Sequence, residues 1–165
     1  MCIRDSGVAP LPDRLVEIPS GIITCIVPAE EAAESADAHF DIVAPGFIDL
    51  QINGAGGVLF NDAPNEGTLH TMISAAQKGG TCHMLPTFIT AAGDAYRQAM
   101  AAAVAFSGPE VLGVHLEGPF LSPEKPGIHP KDAIRSIAEE DIRALVSHQG
   151  LILLTLAPEL SLIHI

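Results

Sequence analysis

The sequence predicts an α/β fold, a parallel sheet covered by helices, on three observations. Short, near-continuous apolar runs alternate with helical patterns from about residue 47 to residue 157, as expected of strands buried on both faces. Gly79-Gly80, Gly108-Pro109 and Gly150 punctuate the junctions between those runs. Polar side chains recur toward the ends of the strands, where α/β folds gather their ligands. Four such β/α units fit half of a (β/α)8 barrel, which usually needs about 250 residues. A complete open doubly wound domain also fits the 165 residues, and periodicity alone does not choose between them.

The elements follow in order. Residues 15–27, "LVEIPSGIITCIV", are β-branched and interrupted by Pro19-Ser20-Gly21, which predicts short strands joined by a turn. Residues 29–39 are small and acidic and read as a surface loop or a short helix. A strand over 47–52 leads into the glycine-rich "NGAGG". Lacking GxGxxG or Walker spacing, "NGAGG" reads as a loop whose glycines let backbone pass close to a ligand. A helix over 66–78 closes at Gly79-Gly80, and "TCHMLPTFI" gives a strand at 81–89. The alanine-rich stretch 91–106 predicts a helix, ended by Gly108-Pro109. "VLGVHLE" at 111–117 is a third strand. Residues 137–148 form an amphipathic helix with acidic residues in its first turn, and "LILLTLA" at 151–157 is a fourth strand.

Composition narrows the function classes. With 48% hydrophobic and 17% charged residues the chain is globular, and a net charge of −12 argues against nucleic acid or an anionic membrane as partner. No apolar run reaches the roughly 20 residues of a transmembrane helix. The start "MCIRDS" lacks the apolar core of a signal peptide. Cys2, Cys25 and Cys82 fit no metal or redox spacing; an odd count without a framework favours a reducing, cytoplasmic setting. Cys25 and Cys82 are expected to be small buried hydrophobes.

Chemistry is sought at the strand ends. Asp49, Gln51 and Asn53 alternate and share one face of the first barrel-like strand. The second strand holds His83, and the third places His115 and Glu117 on one face. Glu117 caps the backbone of the following loop, pairs with Lys125 or Lys131, or is a metal ligand, since buried charges are normally paired or metal-bound. His115 alone reads as a hydrogen-bonded strand histidine, and His129, in a Gly/Pro-rich loop, as exposed. His39, His70, His148 and His164 have no local support and read as surface residues.

As a set, "VAPGFIDLQINGAGG", "GGTCHMLPTFIT", "GVHLEGPFLSPEKPGIHP" and "LTLAPEL" resemble the N-acetylglucosamine-6-phosphate deacetylases of the amidohydrolase superfamily, over about residues 20–160. The resemblance implies a metal-dependent (β/α)8 TIM barrel beside a small β-sandwich built from both chain ends. Residues 1–45 would supply the N-terminal segment of the sandwich, and 46–165 the first half of the barrel. Residues 1–6 and 161–165 depart from the family pattern and are candidates for foreign sequence. The implied reaction is hydrolysis of the acetamide of N-acetylglucosamine 6-phosphate to glucosamine 6-phosphate and acetate.

By the same resemblance Glu117 is the metal ligand of the third strand. Gln51 and Asn53 replace a first-strand HxH pair, which implies one divalent ion rather than two: zinc first, with iron or manganese as alternatives. His115 neighbours the metal, and Ile128 and His129 contact substrate. No catalytic residue is expected within the chain; the catalytic aspartate is expected beyond Ile165. The chain is therefore expected to be an inactive N-terminal fragment of a cytoplasmic, homodimeric parent. Its partner would be a small amino-sugar phosphate. Another amidohydrolase acting on a cyclic amide or nucleobase, and a non-enzymatic α/β module, are the competing readings.

Overall fold

The computed structural model of the protein describes residues 11–32 and 36–157. Cys2, His164 and the terminal stretches 1–6 and 161–165, singled out above, lie outside the described residues. The chain divides into two units between Ala44 and Pro45.

The first unit contains an antiparallel ribbon of β1 (Arg14–Glu17) and β2 (Cys25–Pro28). A 3-10 turn at Pro19–Gly21 joins them, with Ser20 and Gly21 at positive φ. The predicted short strands and turn are thus present. The acidic stretch begins with one 3-10 turn, Ala29–Glu31.

In the second unit a four-stranded parallel sheet follows chain order: β3 (Phe47–Ile52), β6 (Thr81–Ile89), β7 (Val114–Glu117) and β8 (Leu151–Thr155). It is an open sheet of the kind that forms part of a barrel. Between β3 and the first helix, β4 (Gly54–Ala55) and β5 (Val58–Leu59) make a two-residue hairpin. "NGAGG" thus lies in this hairpin and its turn. Gly56 and Gly57 both have positive φ, which a tight primed hairpin turn requires. A side chain at Gly54 would also stand 2.2 Å from the Val58 carbonyl oxygen.

Helix α1 (Glu66–Gln77) starts at Asn65, whose side chain accepts the Thr68 N–H at 3.0 Å. Its sequence includes Gly67 and several β-branched residues, worth a few tenths to about 1 kcal/mol each against helix. Burying Leu69, Met72 and Ile73 at helical spacing, roughly 1.5–3 kcal/mol apiece, outweighs that. Helix α2 (Ala95–Ala105) buries Tyr96, Ala99, Met100 and Ala103 in the same core. That core meets Met84 and Phe88 of β6 and Val114 and Leu116 of β7, with Phe60 edge-on to Phe88. Helix α3 (Glu139–Ser147) adds Leu145. No helix among the described residues is long and apolar enough to cross a membrane.

Two strand expectations are refined. The run 111–117 is broken: Val111 bridges Met84, Gly113 takes φ +146, and regular pairing resumes at Val114. Strand β3 is not doubly buried, since Phe47, Ile48 and Leu50 are exposed. At the end of β6, the Asn61 side chain accepts the Ile89 N–H and donates to the Ile89 carbonyl, both at 2.9 Å. Cys82 is exposed rather than buried, although Gly46 packs so closely on it that a Cβ there would stand 2.0 Å from the sulfur.

Candidate functional site

Register places the polar residues. In the parallel pairing Ile89 lies beside Glu117, and Glu117 beside Thr155, so Glu117 closes β7 at the C-terminal end of the sheet. His83 sits at the other end, level with Ile48 of β3, and its Nδ1 lies 2.9 Å from the Pro109 carbonyl. It belongs to the strand-entry side and not to this site.

Glu117 is half-buried, with 23% of its side chain exposed. Its Oε2 accepts a hydrogen bond from Gln51 Nε2 at 3.2 Å, and its Oε1 lies 3.6 Å from His129 Nε2. Its neighbours are thus an amide of β3 and an imidazole of the following loop. Lys125 and Lys131, the alternative partners, are exposed residues of that loop. Gln51 is itself oriented by Asp49, whose carboxylate accepts the Gln51 backbone N–H at 3.0 Å. Asn53 contributes through its main chain: its carbonyl accepts the Phe60 N–H at 2.9 Å at the base of the hairpin.

His129 corrects an expectation. It is 9% exposed, not a surface residue of the Gly/Pro-rich loop. Its Nδ1 lies 2.9 Å from Thr90 Oγ1, and Thr90 donates its own proton to the Glu117 carbonyl at 3.3 Å. The adjacent Ile128 projects outward, 83% exposed. An apolar side chain held in water beside a buried histidine is available to a ligand without being needed by the core.

His115, 2% exposed, has other commitments. Nδ1 lies 3.3 Å from Thr87 Oγ1 on β6 and Nε2 lies 2.9 Å from Thr155 Oγ1 on β8, so one imidazole ties three strands together. Burial pushes its pKa below the ordinary histidine value, against the pull of the Glu117 carboxylate and a hydrogen bond to the Leu50 backbone.

A second polar cluster was not visible in the sequence. Arg135 forks onto the Asp141 carboxylate, with Nη2 2.8 Å from Oδ1, and lies over the Phe120 ring. Tyr96 donates to Asp141 Oδ1 at 2.8 Å, and Ala138 N–H to Oδ2 at 2.9 Å. The Arg135 backbone N–H also donates to the Pro119 carbonyl at 3.0 Å. The cluster therefore pins both ends of the 118–138 loop that carries His129. The Arg135 guanidinium holds Asp141 well below the usual carboxylate range, while burial, then Asp141, push the Tyr96 phenol up to about 12. Arg-x₅-Asp spacing alone carries no signal for such a pair, because the helix start between them sets the geometry.

Glu117 offers one anionic oxygen beside an imidazole and an amide, a donor set that suits a divalent ion. Among the described residues no group of three or more His, Cys, Asp or Glu side chains could hold one.

Residues 42–162 match the Amidohydrolase family model. An N-acetylgalactosamine-6-phosphate deacetylase of Shewanella sp. (strain ANA-3) is 39% identical over 157 residues, covering 87% of this chain and 39% of that protein. An N-acetylglucosamine-6-phosphate deacetylase of Haemophilus influenzae is 38% identical over 145 residues, covering 84% and 38%. The crystal structure of N-acetylglucosamine-6-phosphate deacetylase from Pasteurella multocida superposes with a TM-score of 0.80 at 32% identity, over 91% of this chain and 41% of that one. The chain thus spans about two fifths of the length of these relatives.

Proposed function

Because the chain belongs to the amidohydrolase family, we propose that the full-length protein is a metal-dependent deacetylase of amino-sugar phosphates. On this reading it hydrolyses the acetamide of N-acetylglucosamine 6-phosphate to the free amine and acetate. The observation that carries the reading is Glu117 at the C-terminal end of β7, facing Gln51 and His129. Relatives carrying the glucosamine and galactosamine names both support the substrate class. The Shewanella relative favours the galactosamine epimer as a second substrate to test.

In this proposal Glu117 is one ligand of a single divalent ion, zinc before iron or manganese, and His115 and Asn53 neighbour the ion without binding it. A bound divalent ion supplies Lewis acidity toward the amide carbonyl and lowers the pKa of water. Gln51 holds the Glu117 carboxylate in place through Oε2, leaving Oε1 toward the site. Ile128 and His129 bind and orient the sugar, one by apolar contact and one through its ring nitrogen. We also propose that the 165-residue chain alone does not turn over, because the described residues supply one carboxylate and no further ligand cluster. The full-length protein is proposed to be a cytoplasmic homodimer.

The test is to express the full-length protein, strip it with chelator, and assay acetate release from both hexosamine phosphates as zinc, iron or manganese is restored. Metal-dependent release from either supports the class, and the ratio of rates names the epimer. No release from either under any metal sinks the reading.

A further inference from the structure

The even alternation expected of Asp49, Gln51 and Asn53 is interrupted within β3. Asp49 pairs with Met84 and Ile52 with Pro86, so three steps on β3 stand against two on β6. One extra residue on β3 between those pairs is a β-bulge, a device that re-aims the side chains beside it. Its place has a cause on the facing strand. Pro86 has no N–H to give a ladder, and proline inside a sheet is confined to edges and bulges. A bulge also leaves backbone groups without ladder partners. Here the Gln51 N–H donates to Asp49 Oδ1 at 3.0 Å, a carboxylate reaching two residues along its own backbone. The Leu50 backbone, in the same bulge, hydrogen-bonds His115. From this kink the Gln51 side chain passes the intervening strand β6 and donates to Glu117 Oε2 on β7 at 3.2 Å.

We propose that Asp49 is a positioning residue: by holding the Gln51 N–H it fixes the β3 bulge in the geometry that carries Gln51 Nε2 to Glu117. Its part in catalysis rests on the deacetylase reading; its hold on Gln51 does not. A carboxylate that served the strand alone would matter equally whatever side chain stood at position 51. One that acts through Gln51 should lose its effect when that amide is gone.

The experiment uses the full-length protein and four variants: Asp49→Ala, Asp49→Asn, Gln51→Leu, and Asp49→Ala combined with Gln51→Leu. On hexosamine phosphate, Asp49→Ala should lose about 10-fold in kcat. KM should change little, because Ile128 and His129 hold the sugar in this reading. Asp49→Asn keeps the side-chain acceptor and should stay near wild type. In the Gln51→Leu background, Asp49→Ala should cost nothing further, since two residues acting as one unit are not additive. Unchanged kcat in Asp49→Ala, or full additivity in the double variant, overturns the proposal. If Asp49→Ala does not fold, Asp49→Asn decides it: activity near wild type upholds the acceptor role, and a loss as large as that of Gln51→Leu overturns it. If no form deacetylates, the deacetylase reading fails, and the crystal structure of Asp49→Ala judges the hold by itself. Gln51 turned away from Glu117 upholds it; Gln51 still bonded to Glu117 overturns it.

Discussion

Two polar clusters flank the loop 118–138, built from similar side chains and arranged to opposite effect. Around Asp141 every strong group is matched: two guanidinium nitrogens, a phenol and a backbone N–H converge on one carboxylate. Around Glu117 one oxygen is matched by Gln51 and the other faces an imidazole across 3.6 Å. A closed network rigidifies and specifies. The open one keeps hydrogen-bonding capacity in reserve at a strand end, where α/β folds bind ligands. Burial depth alone does not separate the two clusters; the hydrogen-bonding capacity left unmet at Glu117 does.

The sharpest way to break the comparison is Glu117→Gln in the full-length protein. It should lose metal content and at least about 100-fold in deacetylation, more than an outer partner would cost. Its urea midpoint should stay near wild type. Metal analysis and acetate release decide it, and equal metal content would remove Glu117 from the ligand set.

Asp141→Ala should do the reverse. It strands a half-buried guanidinium and a buried phenol, and should destabilise by roughly 3 kcal/mol. Metal bound by whatever remains folded should be unchanged. Denaturant unfolding measures the first and metal per folded protein the second.

The smallest effect expected is Tyr96→Phe, about 1 kcal/mol for one buried hydrogen bond. Its signature lies in pH. Tyr96 is raised from 10.0 to about 12, so the folded state favours the neutral phenol. That contribution is present below about pH 10 and is lost as pH rises toward 12. Asp141 is lowered, so its contribution holds above the ordinary carboxylate pKa and is lost as pH falls below it. Tyr96→Phe should flatten the alkaline limb of a stability profile and leave the acid limb in place. A profile unchanged above pH 10 would contradict the assignment.

Much of this was legible in the residues. Alternating apolar strands and helices predicted a parallel sheet, while its chain order β3, β6, β7 and β8, which fits part of a barrel, was left open by periodicity and is seen in the structure. Period-two alternation put Gln51 on the polar face of one strand and Glu117 on that of another; that the two side chains meet is seen in the structure. What stayed hidden depended on chain reversal. His129 looked exposed because Gly and Pro surround it, yet the loop folds back and buries it on Thr90. "NGAGG" read only as a loop, because glycine counts do not reveal that two positive-φ residues close a hairpin. The break at Gly113 and the Arg135–Asp141 fork are likewise products of geometry that spacing does not encode.

Asn61 has a consequence of a different kind. Its side-chain amide meets the Ile89 peptide group with one donor and one acceptor, as a neighbouring strand would. Strand ends normally fray, and their amide protons exchange with solvent long before those of the core. Ile89 should instead exchange on the timescale of the core, because breaking its pairing means moving Asn61 as well. Asn61→Asp would keep the acceptor but set a charge against the Ile89 carbonyl, and Ile89 should then exchange like any loose end. The stillness of the polypeptide just before Thr90 would thus be owed to a side chain that mimics a missing peptide bond.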